Sequence, residues 1–402
     1  MSRSIVIHGH FYQPPRDDPR TGIIPVEINA APDHDWNERI ERECYAPIAP
    51  SLASLSFNFG PTLLDWMEHH APDTYAAVVA ADRASGNAVA MPYHHVILPL
   101  CPRRDKTTEV RWGIADFRRR FGREPEGMWL PETAVDHETL DVLAEEGIRF
   151  TILAPHQVER APAGGLPGWY RTAAGGRIAI FTYDGGLSHG VAFGPLVNDA
   201  GAWMDRLTSA PGELVAIATD GETYGHHHKN GVATLARVVE TIKTENFASF
   251  LARRPPVEEV RLVSPSSWSC PHGVERWRAE CGCRAAPERA TQQRWRAPLR
   301  AALDWLSSEV RAGYAAEGRA IPAALEHQLL RMFTSCGWFF DDIAGIESVI
   351  VLRSAARAIE LAGPPPEQAR LEAGLLERLA QAPSNDPAVG SGRELYLQRV
   401  KA

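Results

Sequence analysis

The sequence contains no long apolar run. In 402 residues there is no stretch of eighteen apolar residues, and a helix needs roughly that length to cross a bilayer. The chain also passes from Met1 directly into a strand-like segment, without the basic and then apolar region of a secretion signal. These absences argue against a membrane partner and predict a cytoplasmic protein.

Cysteine and excess charge are also scarce. Six cysteines spread over the chain do not form the dense framework of a small secreted domain, so we expect reduced thiols. A formal net charge of −8, spread along the sequence, argues against a nucleic-acid partner and favours a neutral substrate. There is no internal repeat and no low-complexity segment. Eleven tryptophans could stack on flat sugar faces, although most tryptophans fill protein cores.

The first two thirds of the sequence alternate short apolar runs with helical patterns. Such runs are typical of parallel strands buried on both faces, and their number predicts an α/β fold with a (β/α)7-type barrel over residues 1–290. A doubly wound open sheet is the alternative. The helices include Thr107–Phe121 and Asp136–Glu146, the latter with an aspartate cap. The runs are Ser4–Phe11, Ala88–Tyr93, Gly127–Leu130, Phe150–Leu153, Arg177–Tyr183, Leu214–Thr219 and Val260–Val263.

The last third changes to long helical patterns separated by glycine and proline. We therefore predict a helical bundle over residues 291–402 that packs against the barrel. Its helical segments are Pro298–Glu317, Ala323–Phe333, Ile346–Leu361 and Pro366–Ala380.

Polar side chains follow four of the predicted strands. The carboxyl ends of parallel strands meet at one edge, so these residues should face one basin. Two carboxylates there could cleave a glycosidic bond, one as nucleophile and one as proton donor. A competing scheme uses His8, His10, Asp220 and a later histidine to bind a metal. The residues are His8, His10 and Gln13, then Trp129 and Glu132, then Asp220, Glu222, Tyr224 and His226 to His228, and finally Trp268, Cys270 and His272.

Each feature also has a purely structural interpretation. Glu132 could cap a helix, the His8 and His10 pair could be hydrogen-bonded within the core, and the three consecutive histidines could be solvated. Helix capping alone does not explain why several strand ends carry acids and imidazoles, so their occurrence together favours a functional site.

Three ordered motifs resemble glycoside hydrolase family 57. They are the His-x-His of the first strand with its following Gln13, the Trp-Leu-Pro-Glu segment ending at Glu132, and the Asp-x-Glu-x-aromatic-Gly segment beginning at Asp220. The resemblance implies a (β/α)7 barrel followed by a helical region. It also implies a retaining mechanism on α-glucosidic bonds, without a cofactor, with Glu132 as nucleophile and Asp220 as acid/base. Activities in that family include amylase, 4-α-glucanotransferase, branching enzyme and α-galactosidase.

Sugar binding is expected from the remaining polar and aromatic residues of these motifs. Hydrolysis and transfer both stay open, and the oligomeric state is not predicted. The expected substrate is an oligo- or polysaccharide. The predicted substrate-binding residues are His8, His10, Gln13, Trp129, Glu222, Tyr224, His226, Trp268 and Trp338.

The motifs also depart from the family pattern. Tyr224 stands where characterised members often carry Phe, and the segment around Trp338 lacks the preceding acid of their Trp-rich motif.

The alternative functions are a metal-dependent deacetylase or mannosidase-like hydrolase and an inactive sugar-binding relative. Trp338 could equally be a core residue.

A cysteine-rich segment follows the predicted barrel. Cys270, His272, Cys281 and Cys283 supply four soft ligands, enough for tetrahedral zinc. Their spacing is not that of a standard zinc finger. We predict no metal in the reacting centre, and a cysteine pair, plain packing or a structural zinc remain open for this segment.

Overall fold

The computed structural model describes residues 3–401, which divide into two compact units. The first holds residues 3–13, 26–93 and 101–268, and the second holds residues 14–25, 94–100 and 269–401. The helical unit thus begins earlier than the predicted boundary at residue 290. It also takes in two short segments from earlier in the chain, residues 14–25 and 94–100.

Six strands of the first unit form two three-stranded sheets. In one, the order is β2-β1-β6 and both pairs are parallel; in the other, the order is β3-β5-β4, with β3 and β5 parallel and β4 antiparallel. The strands are β1 Ser4–Phe11, β2 Ser56–Phe59, β3 Phe150–Leu153, β4 Gly168–Arg171, β5 Arg177–Thr182 and β6 Leu214–Asp220.

Single bridges link the two sheets on one side. Parallel bridges join Phe57 to Ala88, Ala90 to Met128, and Gly127 to Phe150. On the other side, the Asp184 N–H donates to the Ala216 carbonyl at 2.7 Å. The predicted runs around residues 88–93 and 127–130 are therefore extended segments with isolated bridges.

The predicted run at Val260–Val263 is likewise not a regular strand. Leu262 makes an isolated antiparallel bridge to Val158, and the adjacent Glu259 makes an isolated parallel bridge to Trp169 of β4, so this segment is extended and touches the sheet at single bridges. Sequence patterning also missed β2, because Ser-Phe-Asn-Phe alternates polar and apolar residues over only four positions.

Helices cover the strands of the first unit. The predicted cap of α6 is confirmed, since the Asp136 side chain accepts from the Thr139 N–H at 2.8 Å. A π-helical stretch, Glu41–Tyr45, lies between the first two helices. The helices are α1 Trp36–Ile40, α2 Ala46–Ile48, α3 Pro61–His70, α4 Pro72–Ser85, α5 Arg103–Phe121, α6 His137–Glu145, α7 Gly185–Ala192, α8 Ala200–Ser209, α9 Gly231–Thr241 and α10 Phe247–Arg253.

The second unit is helical, and its four longest helices match the predicted segments to within a few residues. Leucines such as Leu303 and Leu375 form its core, because they repeat along one face of each helix. Within residues 3–401, no helix combines the length and the apolar character that crossing a membrane requires. The helices are α11 Arg296–Ala316, α12 Ala323–Arg331, α13 Cys336–Phe339, α14 Ile346–Ala362, α15 Pro365–Leu379 and α16 Gly392–Arg399.

Candidate active site

The carboxyl ends of β1 and β6 place acids beside imidazoles. His10 is the register partner of Asp220 on β6 and of Asn58 on β2. Because neighbouring parallel strands end at the same edge, these three side chains start from adjacent positions. The sequence predicts that the polar ends of β1 and β6 meet, and the register confirms this for these two strands.

Glu132 sits in a strained turn. Its φ is 58° and that of Thr133 is 47°, a region that non-glycine residues rarely adopt and that costs about 1–3 kcal/mol per residue. The buried Gln157 holds this turn from a separate segment. Its side-chain amide donates to the Thr133 carbonyl at 2.8 Å, and its Oε1 accepts from the Thr133 hydroxyl at 2.8 Å. The surroundings therefore enforce the position of Glu132.

Trp268 orients the Glu132 carboxylate. The indole N–H of Trp268 donates to Oε2 of Glu132 at 3.0 Å, and its backbone N–H donates to the Glu132 carbonyl at 3.0 Å. Both side chains are half-buried. A hydrogen bond to an ionised carboxylate favours the charged form and fixes one oxygen.

Asp220 ends β6 in an exposed position, although protein atoms crowd around its carboxyl group. Loss of hydration raises the pKa of Asp220 well above its usual range, and the negative charges of Glu222 and Glu132 raise it further. Glu132 is thus near enough for the two charges to interact. When two neighbouring acids have different environments, one can serve as a proton donor and the other as a nucleophile.

Glu222 is a third, buried acid. Its Oε1 accepts from the Tyr45 hydroxyl at 2.6 Å and from the Tyr12 N–H at 3.3 Å. Burial raises the pKa of Glu222 to about 7, although the Tyr45 hydrogen bond opposes that rise. Glu222 was predicted to bind sugar; because it is buried and its Oε1 is occupied by protein donors, we assign it instead to the electrostatics of Asp220.

The two histidines of β1 form a buried, neutral pair. Nδ1 of His8 lies 3.0 Å from the Ser56 hydroxyl oxygen. Nε2 of the same ring lies 3.1 Å from Oδ1 of Asn58. His10 contacts the same Asn58 amide through Nδ1. Burial lowers the pKa of each histidine to about 3. Both ring nitrogens of His8 are engaged, so neither the predicted sugar contact nor the metal-ligand alternative fits it.

Trp129 is also corrected. Its side chain is fully buried and stacks on the rings of His8 and His10, with centroid distances of 4.7 and 5.2 Å. Its extended segment turns the ring toward β1, so no surface is left for a sugar. Trp129 supports the histidine pair and reaches the edge of Trp268 at 5.2 Å.

Two further aromatic predictions are wrong for the same reason. Tyr224 is fully buried, stacks on Trp203 and accepts from the Thr219 hydroxyl at 3.1 Å. Trp338 is buried in the second unit, where its indole N–H donates to the Arg296 carbonyl at 3.2 Å. Both therefore act as core residues.

The histidine run is partly anchored. His226 pairs with Glu43 at 2.6 Å, and His228 donates to the Ala192 carbonyl at 2.9 Å, whereas His227 is exposed. The tie to Glu43 turns His226 toward the π-helical stretch, and its sugar-binding role stays a prediction.

Tyr183 is a site residue that sequence reasoning missed. It follows β5, and its pKa is raised by burial and by the charge of Asp220. Its ring lies 6.5 Å from that of Trp268. The rule that strand ends carry function would have identified it.

A shallow groove lies elsewhere in the first unit. It encloses about 660 Å³ beside α3 and α5 and is lined by residues that include Asp65, Trp112 and Arg119. None of the strand-end acids lines it, so we assign it no part in the chemistry.

The chain resembles known proteins in two segments. The profile of Glycosyl hydrolase family 57 matches residues 58–260, just over half of the chain. A domain of unknown function (DUF3536) matches residues 323–402.

Two curated relatives match less than half of the chain. The 4-alpha-glucanotransferase of Thermococcus litoralis is 27% identical over 180 residues, which is 42% of this chain and 26% of that protein. Alpha-amylase 1 of Dictyoglomus thermophilum is 24% identical over 176 residues, with the same two shares. The matched region thus spans about a quarter of the length of these relatives.

Solved structures share the fold over nearly the whole chain. An exo-type maltose-forming amylase from Pyrococcus sp. ST04 aligns with a TM-score of 0.67 and 15% identity, covering 95% of this chain and 79% of that one. A branching enzyme from Pyrococcus horikoshii aligns with a TM-score of 0.63 and 16% identity, covering 93% and 95%. The profile match, extending over the strand ends described above, leads to one conclusion: the chain belongs to glycosyl hydrolase family 57.

Proposed function

We propose that this protein is a retaining glycoside hydrolase or glucanotransferase that acts on α-glucans. The support for the substrate class is the likeness to a 4-alpha-glucanotransferase and an alpha-amylase. The support for the chemistry is one observation: Asp220, with a strongly raised pKa, interacts with the charge of Glu132, whose Oε2 is held by Trp268.

Glu132 is the proposed nucleophile. In the first step one of its carboxylate oxygens attacks the anomeric carbon, while Asp220 gives its proton to the departing glycosidic oxygen. Burial and the neighbouring acids raise the pKa of Asp220 well above its usual range, which favours the protonated form that a proton donor requires. In the second step the Asp220 carboxylate takes a proton from water or from a glucan hydroxyl, whose oxygen attacks the anomeric carbon and displaces the Glu132 carboxylate. Water gives hydrolysis, and a glucan gives transfer.

We further propose that the first unit closes into a (β/α)7-type barrel that carries this site. Support comes from the chain of parallel contacts that runs from β1 through β2 and the segments at 88–90 and 127–129 to β3 and β5. The contact from Asp184 to β6 then leads back to β1. Closure brings the end of β6 and the Glu132 turn to one rim.

The test is turnover of a maltooligosaccharide ladder by two variants. Glu132→Gln should lower turnover by about a thousandfold or more while glucan binding persists, because the shape stays and the nucleophile is lost. Asp220→Asn should slow substrates with poor leaving groups most, since protonation matters less when departure is easy.

Glu159→Gln, at an exposed carboxylate, is the matched control and should behave like the unaltered protein. Azide should rescue Glu132→Gly and give a glycosyl azide of inverted configuration. Near-normal turnover by Glu132→Gln would contradict the assignment.

A further inference from the structure

The cysteine-rich segment of the second unit converges on one point. One ligand atom from each of Cys270, His272, Cys281 and Cys283 lies within 4.8 Å of all the others. Within residues 3–401, this is the one group of three or more such side chains with a geometry suited to a metal. We propose that these four residues bind a structural zinc ion, a role separate from the proposed carbohydrate chemistry.

The distances between the ligand atoms fit a tetrahedron around zinc. With Zn–S bonds of about 2.3 Å and a Zn–N bond of about 2.0 Å, tetrahedral edges are about 3.8 Å between sulfurs and about 3.5 Å between sulfur and nitrogen. The Cys283 sulfur lies 3.8 Å from the Cys270 sulfur and 3.6 Å from His272 Nδ1. All three cysteines have free thiols, and 3.8 Å is far beyond the length of a disulfide bond.

The backbone around Cys270 is shaped to hold a thiolate. The N–H groups of His272 and Arg276 donate to its sulfur, and the Gly273 N–H donates to the Cys270 carbonyl at 3.1 Å. Gly273 has a φ of 81°, which closes the turn tightly. Hydrogen bonds of this kind orient metal ligands from the second layer of contacts.

Arg296 supplies the charge that such a centre lacks. Zinc with three thiolates and one neutral imidazole carries a net charge of −1. The guanidinium of Arg296 is fully buried and approaches the Cys281 sulfur at 3.8 Å and the Cys283 carbonyl at 3.1 Å. In the described part of the chain it forms no ion pair with a carboxylate. A buried, unpaired cation is costly, and the anionic zinc centre would balance it.

The metal also explains how an irregular segment is held. Residues 278–295 form neither helix nor strand, and unstructured stretches of this length are uncommon inside compact units. Zinc would tie the segment to Cys270 and His272 and to the first turn of α11 through Arg296. With four protein ligands no position is open for a substrate, so the site is structural.

The experiment is metal analysis of the full chain purified with a reductant and without chelator. We expect about one zinc per chain, and X-ray absorption at the zinc edge should give about three sulfur neighbours and one nitrogen neighbour. His272→Ala and Cys281→Ser should lower the zinc content about tenfold. His272→Cys, which restores a fourth soft ligand, should keep the zinc, and so should Cys336→Ser, which removes a thiol outside the cluster.

If a variant fails to fold, the X-ray absorption spectrum of the unaltered protein still tests the zinc site. Absence of zinc after incubation with zinc chloride, iron in its place, a disulfide within the cluster, or a nitrogen-rich and sulfur-free shell would each overturn the site. None of these outcomes bears on the Glu132 and Asp220 variants, so the two proposals fail independently.

Discussion

At the residue scale, the protonation of Asp220 depends on its acidic neighbours. The charge of Glu222 raises the pKa of Asp220, second only to burial. Removing that charge should therefore lower the pKa of Asp220 and reduce the protonated fraction at neutral pH. The proton donor would then be lost at a lower pH than in the unaltered protein.

Glu222→Gln tests this effect, because the amide keeps the shape and can still accept from Tyr45. The basic limb of the kcat/KM profile against pH should move to lower pH by about one unit, with smaller change on the acidic limb. Glu159→Gln is the control and should leave both limbs in place. A basic limb that stays where it was in Glu222→Gln would mean that Glu222 does not tune the donor.

At the scale of the element, the Pro131–Thr133 turn depends on a side chain outside it. Gln157 both donates to and accepts from Thr133 and lies in the short 3-10 turn Pro155–Gln157 after β3. It is a positioning residue, since the carboxylate of Glu132 is bound by Trp268 and not by Gln157. Without the amide, the strained backbone at Glu132 should relax.

Gln157→Met fills the same space without hydrogen bonds. It should lower kcat by about ten- to a hundredfold and leave KM nearly unchanged, because a misplaced nucleophile affects the transition state more than glucan binding. The buried Gln328 on α12 allows the matched control Gln328→Met, which should leave kcat intact. Equal losses of kcat in both variants would show that only folding is affected.

At the scale of the whole molecule, the buried histidine pair predicts acid sensitivity. The pKa values of His8 and His10 are about 3 in the folded protein, below the ordinary value of 6.5. Between these limits the unfolded chain binds more protons, so the free energy of unfolding falls as the pH drops from 6.5 toward 3. The raised pKa values of Asp220 and Glu222 act in the opposite direction over part of that range.

Comparing the unaltered protein with a variant that lacks both histidines isolates their contribution to the pH dependence of stability, because Asp220 and Glu222 are present in both proteins. The Tm of the unaltered protein should fall more steeply between pH 6.5 and 4 than that of the His8→Gln, His10→Gln double variant, even if the latter is less stable throughout. His69→Gln, at an exposed position in α3, is the control. Parallel pH profiles of Tm would contradict a neutral, buried pair.

The sequence alone determined the alternation of strands and helices, the helical character of the last third, and the family. These properties are local or lie in ordered motifs: apolar runs mark strands, the Asp136 cap marks a helix start, and Glu132 and Asp220 follow apolar runs. The tertiary structure decided which of the predicted residues remain open to a ligand. Trp129, Tyr224 and His8 are covered by segments distant in sequence, and no local pattern records what packs over a side chain.

For the same reason, a sequence motif shows which ionisable groups are present but does not determine their pKa values. A pKa depends on burial and on charges brought together by folding, so the coupling of Asp220 with Glu222 and Glu132 emerges only in three dimensions. The support of the Glu132 turn by Gln157 is likewise a contact between separate segments. The convergence of Cys270, His272, Cys281 and Cys283 required the fold as well, because their spacing permits a metal site, a cysteine pair or simple packing.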